Sequence, residues 1–232
     1  MVIAGIVAGG SGTRMGGNIP KQFYELNGKP VLIYTAERFL NHGGINAVII
    51  GINPEWEEYA RELINKHLPC CKNIFLTNGG SDRNETVSLI IRFAQRVLGC
   101  AENDVILTHD AVRPFVTSRI ISDCIEAMSS CDICTAVIPE TDTVVVSKDG
   151  GYAESFPDRS SVFRVQTPQA LRIGSFNSVY ETLSANEKKL ATDVCRLYSS
   201  NGYNVKLIDG DITNIKLTYP HDYSFAEFLA KQ

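Results

Sequence analysis

Apolar residues in this chain come in short runs set far apart, with helix-periodic segments between them. The runs Val2–Val7, Ala47–Ile52, Asn73–Thr77, Val105–Thr108 and Ile133–Ile138 have strand length and strand character. In Asn84–Leu98 the residues Val87, Ile90, Ile91, Ala94, Val97 and Leu98 fall at helical intervals. Pro30–Leu40 opens with a proline suited to a first helical turn. Asn53, Pro54 and Glu55 give a cap, a proline and an acidic start to a helix over Pro54–Leu68, and Thr117–Met128 is amphipathic. Strands that alternate with helices predict an α/β fold with a doubly wound, mostly parallel sheet.

The pattern changes after Pro139. Thr143–Ser147 and Tyr152–Phe156 flank Lys148-Asp149-Gly150-Gly151, and Asp-Gly between two such runs reads as a β-hairpin. Helical patterns resume at Ser175–Leu183 and Asp193–Ser200. Strands are expected at Val205–Ile208 and Asn214–Leu217, and a helix from His221 to the end. With no internal repeat or low-complexity linker, the pattern describes one domain over residues 1–232. An excursion of this kind, at about 139–160, often projects from an α/β core, and it is expected to contact another subunit.

Composition removes several classes of function. Of 232 residues, 44% are hydrophobic and 21% charged, which excludes a disordered, collagen-like or coiled-coil chain. A net charge of -4 argues against a large basic face for nucleic acid, while leaving room for a local basic pocket. No apolar run approaches the ~18 residues of a membrane span. MVIAGIVAGG lacks a basic leader and runs into a glycine-rich turn, so it reads as a first strand and not as a signal peptide. Seven cysteines, an odd number, predict reduced thiols and a cytoplasmic location. Cys131 and Cys134 form a C-x-x-C with neither a second such pair nor a nearby histidine pair, and read as small buried residues.

The turn Ala8-Gly9-Gly10-Ser11-Gly12-Thr13-Arg14-Met15 follows the first strand directly. Glycines there let the backbone approach a ligand and aim N–H groups at phosphate oxygens. A Walker A loop needs Gly-Lys-Ser/Thr at its end, and none follows. A dinucleotide fingerprint fails by one residue, since Met15 stands where the last glycine belongs. The second strand also ends Gly51-Ile52-Asn53 without the acidic residue that a nicotinamide-dependent oxidoreductase requires. What remains is a glycine-rich loop with two cations, Arg14 and then Lys21 in Pro20-Lys21-Gln22-Phe23. Cations converging on a pyrophosphate suit a nucleoside triphosphate whose outer phosphates leave.

Ala8–Met15 with Pro20–Phe23 resembles the signature of the cytidylyltransferases that activate polyol phosphates with CTP. Four further motifs agree in order along the chain: Gly79–Thr86, His109–Phe115, Gln166-Thr167-Pro168-Gln169 and Asn214–Thr218. Within that family Asp82–Thr86, His109–Phe115 and Thr192-Asp193-Val194-Cys195 are similar to the branch that makes CDP-ribitol from D-ribitol 5-phosphate for teichoic acid or related glycopolymers. The other branch makes CDP-methylerythritol for isoprenoid synthesis. Phe163-Arg164-Val165-Gln166 departs from the Tyr-Gln-Gly-Gln of the ribitol branch.

The resemblance implies a Rossmann-like nucleotidyltransferase fold, Mg²⁺ as cofactor, and a homodimer joined through the arm. Arg14, Lys21 and Lys216 are the cations expected to act in catalysis. Ala8, Gly9, Gly10, Gly12, Thr13, Gly80, Ser81, Arg83, Thr86, Asp110 and Ala111 are expected around the nucleotide. Asp110, Arg113, Thr143, Arg159, Thr167, Thr192 and Lys216 are expected around the acceptor, with Arg159 serving the partner's site. Asp110 is also the metal candidate, with a contact to ribose or acceptor and a plain ion pair to Arg113 as the alternatives. His109 reads as structural, because a phosphate acceptor is already ionised at neutral pH and needs no base. A nucleotide sensor without catalysis is the remaining alternative, and the number of cations gathered on one phosphate group argues against it.

Overall fold

The computed structural model describes residues 1–10 and 19–231. The chain runs β1 (Val2–Ala8), β2 (Glu25–Leu26), β3 (Lys29–Pro30), α1 (Val31–Leu40), β4 (Ala47–Ile52), α2 (Glu57–His67), β5 (Ile74–Asn78), α3 (Arg83–Leu98), β6 (Val105–Asp110), α4 (Ser118–Ala127) and β7 (Ile133–Pro139). It continues with β8 (Phe163–Arg172), α5 (Ile173–Thr182), α6 (Ala185–Leu190), α7 (Val194–Ser200), β9 (Lys206–Asp209) and α8 (Pro220–Leu229). A seven-stranded sheet has the order β5-β4-β1-β6-β8-β7-β9, and β2 and β3 form a separate two-stranded ribbon. β1 pairs in parallel with β4 and β6, β4 with β5, and β7 with β9. β8 alone in that sheet runs antiparallel to its neighbours β6 and β7. This is the expected α/β fold with a mostly parallel sheet.

The apolar runs form strands because both faces of the sheet are covered, so neither face needs polar residues. Ala4, Ile6, Val48, Ile50 and Leu107 pack toward α1, α2 and α4, while Ile3, Ile49 and Ile106 pack toward α3, α5 and α7. α3 begins where Asp82 accepts the Glu85 N–H at 2.9 Å and ends at Gly99, whose φ of 69° closes it. Its buried stripe is Val87, Ile90, Ile91 and Ala94, while Val97 is exposed. Each fully buried aliphatic side chain here contributes about 1.5–3 kcal/mol.

Two expectations need correction, and one strand went unseen in the sequence. The arm is a chain reversal, not a laddered hairpin: a single bridge joins Val146 to Ser155, and Ser147 and Asp149 close the turn with their side chains. Among the described residues no sheet lies beneath its apolar residues, and Val145, Val146, Tyr152 and Phe156 are exposed. Asn214–Leu217 is not a strand, and it is held to the core where Leu217 donates its N–H to the Val112 carbonyl at 2.9 Å. β8 departs from the apolar pattern, because Gln166, Thr167 and Gln169 are polar yet buried. The β7–β8 register shifts between Thr135 and Val137, so β8 bulges beside the carboxyl end of β6.

Candidate active site

β1 is flanked by β4 on one side and β6 on the other, so the strand order reverses at its carboxyl end. Ligand sites in open α/β sheets form at such a switch point. A cavity of about 330 Å³ opens there, with Ala8, Gly9 and Gly10 from the end of β1 and Asp110 and Ala111 from the end of β6. Gly80, Ser81, Arg83 and Thr86 close it from the start of α3, and Lys21 and Lys216 from two loops. These eleven expected residues thus line one space. Gly12, Thr13 and Arg14 lie outside the described residues.

The two glycine turns fit together by close approach. A Cβ at Gly79 would stand 3.1 Å from the Gly9 Cα, and one at Gly9 would stand 3.1 Å from Thr86 Oγ1. Thr86 organises the second turn: its hydroxyl accepts the Gly80 N–H at 3.0 Å and donates to the Asp82 carbonyl at 2.8 Å. Ser81 gives its backbone N–H and its hydroxyl to Glu85 Oε2, at 2.7 and 2.6 Å. Those bonds, the hydroxyl's first, hold the Glu85 carboxyl below its ordinary value.

Lys21 opens a single 3-10 turn, Lys21–Phe23. Two contacts outside the local pattern fix that turn. The buried Gln22 donates its Nε2 to the Ala8 carbonyl at 2.9 Å, and Tyr223 of α8 donates its hydroxyl to the Lys21 carbonyl at 2.8 Å. Gln22 was not among the expected site residues, although it stands inside the Pro20–Phe23 motif. Tyr223 carries no sequence signal of its own.

Asp110 is the electrostatic centre. Arg83 Nε lies 3.2 Å from Oδ1, Lys216 Nζ 2.8 Å from Oδ2 and Arg113 Nε 3.7 Å from Oδ2. Burial pushes the Asp110 carboxyl up, but Arg83, Lys216 and Arg113 outweigh it and hold the group far below the usual carboxylate range. Three cations face one carboxylate, so a chain of net charge -4 concentrates positive charge at this one spot. Nη1 and Nη2 of Arg83 are buried without a hydrogen-bond partner, which is the donor chemistry of an anion site.

This arrangement does not fit a protein-held metal. Both Asp110 oxygens face cations, and among the described residues no group of three His, Cys, Asp or Glu side chains could hold an ion. Asp110, the expected metal candidate, is thus already engaged by three cations, and a metal there would draw most of its ligands from the nucleotide phosphates. The alternative, an ion pair with Arg113, is present as one part of a larger cluster.

The remaining expected residues are spread out. Arg113 is mostly buried behind Asp110 and donates Nη1 to the Asn214 carbonyl at 2.7 Å. Thr167 is 5% exposed, and its hydroxyl accepts the Asp110 N–H at 3.2 Å and meets His109 Nδ1 at 3.0 Å. Thr192 is exposed, next to Asp193, which caps α7 by accepting the Arg196 N–H. Thr143 and Arg159 are exposed on the arm, away from the cavity wall, and Arg159 donates to the Thr141 carbonyl at 3.2 Å. Cys131 and Cys134 each direct Sγ at a backbone carbonyl of the α4 region, Ala127 and Cys124 respectively. No helix among the described residues is long and apolar enough to cross a membrane.

Comparison with known proteins agrees with this geometry. The family described as IspD: 2-C-methyl-D-erythritol 4-phosphate cytidylyltransferase matches residues 2–232. A ribitol-5-phosphate cytidylyltransferase of Streptococcus pneumoniae (strain ATCC 700669 / Spain 23F-1) is 38% identical over 234 residues, spanning 100% of both chains. Among solved structures, the 4-diphosphocytidyl-2C-methyl-D-erythritol synthase of Anaerococcus prevotii DSM 20548 superposes with a TM-score of 0.82 at 26% identity, covering 100% of this chain and 99% of its own. The 2-C-methyl-D-erythritol 4-phosphate cytidylyltransferase of Thermus thermophilus gives 0.77 at 25% identity, covering 100% of each chain.

Proposed function

The chain belongs to the 2-C-methyl-D-erythritol 4-phosphate cytidylyltransferase family, and from that premise we propose that its acceptor is D-ribitol 5-phosphate and its product CDP-ribitol. It is a CTP-dependent enzyme that transfers CMP to a polyol phosphate. The observation that carries the choice of acceptor is the 38% identity, end to end, with a ribitol-5-phosphate cytidylyltransferase. The 25–26% identity to the methylerythritol enzymes of known structure is lower.

In this reading an acceptor phosphate oxygen attacks the α-phosphorus of CTP in line. The new P–O bond forms as the bond to the β-phosphate breaks, and pyrophosphate leaves with the electron pair. The acceptor phosphate is ionised at neutral pH, so no general base is required. Lys21 and Lys216, with Arg14 of the glycine-rich turn, neutralise the crowded anions. Catalysis is then positioning plus electrostatics. Mg²⁺ would be held mostly by the triphosphate oxygens, where it would offset their charge. The free thiols and the use of CTP support a cytoplasmic enzyme that supplies an activated polyol for teichoic acid or a related glycopolymer.

The arm supports a homodimer. Val145, Val146, Tyr152 and Phe156 present apolar surface on a segment that leaves the sheet, and Thr143 and Arg159 sit beside it. We place these two residues at the acceptor end of the partner's cavity.

The test is pyrophosphate release with CTP and Mg²⁺, comparing D-ribitol 5-phosphate with 2-C-methyl-D-erythritol 4-phosphate at equal concentration. Faster release with ribitol 5-phosphate is expected. Faster release with the methylerythritol phosphate, or release with neither, overturns the choice of acceptor.

A further inference from the structure

His109 touches nothing in the cavity, is fully buried, and stands with its ring edge against Phe39. Its place in the sheet gives it work to do. β6 and β8 pair in register from Val105↔Arg172 to Thr108↔Gln169, and the ladder stops there. The next β8 residue toward its start is Pro168, which has no N–H to offer. Beyond it the Thr167 carbonyl has turned to accept from Asn214 Nδ2 at 2.8 Å, so the Asp110 N–H needs another acceptor. The Thr167 hydroxyl supplies it at 3.2 Å.

That hydroxyl can then donate only one proton, and His109 Nδ1 lies 3.0 Å away. At the other end of the ring, Nε2 lies 3.0 Å from the Arg113 carbonyl. A carbonyl only accepts, so Nε2 must carry the imidazole proton and Nδ1 must offer its lone pair. The chain of donors runs from Asp110 N–H to the Thr167 hydroxyl and on to His109 Nδ1, and from His109 Nε2–H to the Arg113 carbonyl. Its two ends are the two ends of one turn, which Arg113 N–H closes onto the Asp110 carbonyl at 3.1 Å. The same turn carries the Val112 carbonyl that anchors Leu217, next to Lys216.

We propose that His109 is a positioning residue, which with Thr167 replaces the interrupted sheet ladder and fixes the Asp110–Arg113 turn, and through it Lys216, for cytidylyl transfer. The proposal rests on the family activity and not on which polyol phosphate is the acceptor. Burial holds the His109 ring below its ordinary pKa, at about 4, in line with a neutral ring facing Asp110, Arg113 and Arg83.

The first test needs no activity. In the wild-type protein labelled with ¹⁵N-histidine, the His109 ring should stay in the Nε2–H tautomer from pH 8 to roughly 5. An Nδ1–H tautomer or a ring protonated at pH 6 overturns the proposal, even if the acceptor assignment fails in the release assay.

The second test is kinetic. His109→Leu fills the site without a donor, whereas His109→Gln keeps an N–H for the Arg113 carbonyl. Thr167→Val and Thr167→Ser form the parallel pair at the other link. Assayed well below their melting temperatures, the Leu and Val variants should lose about tenfold or more in kcat, and the Gln and Ser variants should recover most of it. A folded His109→Leu variant with wild-type kcat and KM, or equal losses in both members of a pair, overturns the positioning role. If His109→Leu does not fold, the Thr167 pair and the tautomer measurement decide.

Discussion

Lys216 Nζ lies 2.8 Å from Asp110 Oδ2, so the lysine on the cavity wall rests on the same carboxylate that Arg83 and Arg113 face. A phosphate entering the cavity competes with Asp110 for that ammonium. Lys216 is 43% exposed at its side chain, and Asp110 keeps two other cations if it is removed. Lys216→Met should therefore leave the fold intact, with stability changed by about 1 kcal/mol or less. Turnover should fall about 10²–10³-fold. Steady-state pyrophosphate release beside a urea melt checks both halves, and a folded variant with near wild-type turnover would sink the role assigned to this lysine.

The Asp110–His109 neighbours should leave separate marks on the pH dependence of stability. Burial holds His109 at about 4 against an ordinary 6.5, so between those values the unfolded chain binds a proton that the folded chain refuses. Stability is then fully present above pH 6.5 and falls by about 3 kcal/mol as the pH drops toward 4. Asp110 acts lower down. Its folded pKa is depressed far below the ordinary carboxylate value, so its contribution holds down to roughly pH 4 and is lost below that. Urea midpoints from pH 8 to 3 should fall in two stages. His109→Leu should flatten the upper stage and Asp110→Asn the lower, and an unchanged upper slope in His109→Leu would remove His109 as its cause.

How far this was legible in the sequence depends on where each residue finds its partner. β1, β4 and β6 announce themselves because both their faces are buried, and that demands apolar runs that any reader of the chain can see. The glycine turns and the cap at Asp82 are local and equally visible. β8 is not, because its middle satisfies polar side chains internally: Gln166 with Asp211, Thr167 with His109, Gln169 with Asp193. Asn214–Leu217 alternates like a strand yet has no strand beside it, since Lys216 is held by a distant carboxylate and Leu217 by one bond to Val112. The arm shows its turn residues, but laddering needs a face to bury against, and none is there among the described residues.

Gly51 offers a test of the nucleotide turn from outside the cavity. A Cβ there would stand 2.6 Å from Thr86 Cγ2 and 3.0 Å from Ile90 Cδ1. Thr86 is β-branched and helical, so it cannot swing aside freely. Its displacement would release the Gly80 N–H that its hydroxyl accepts. Gly51→Ala should cost about 1–3 kcal/mol of stability and raise the KM for CTP several-fold while moving the KM for the acceptor less. Titrating each substrate at a saturating level of the other separates the two. An unchanged KM for CTP in a folded variant would detach the Gly79–Thr86 turn from the nucleotide.

The arm makes the strongest demand on the dimer proposal. If Arg159 completes the partner's cavity, a chain with Lys21→Ala has a useless cavity but a sound arm, and a chain with Arg159→Ala has the reverse. Each variant alone should be nearly inactive. When the two are unfolded together and refolded in equal amounts, half the dimers pair unlike chains, and in each of these one cavity has both its own Lys21 and a partner's Arg159. About a quarter of the wild-type sites should then be restored. If Arg159 instead served its own chain's cavity, no mixture could regain activity, because every cavity would lack either Lys21 or Arg159. Tyr152→Ser with Phe156→Ser, which strips the arm's most exposed apolar side chains, should yield monomers by light scattering and abolish the complementation. A mixture that stays inactive while native mass spectrometry shows mixed dimers would place Arg159 outside the partner's site.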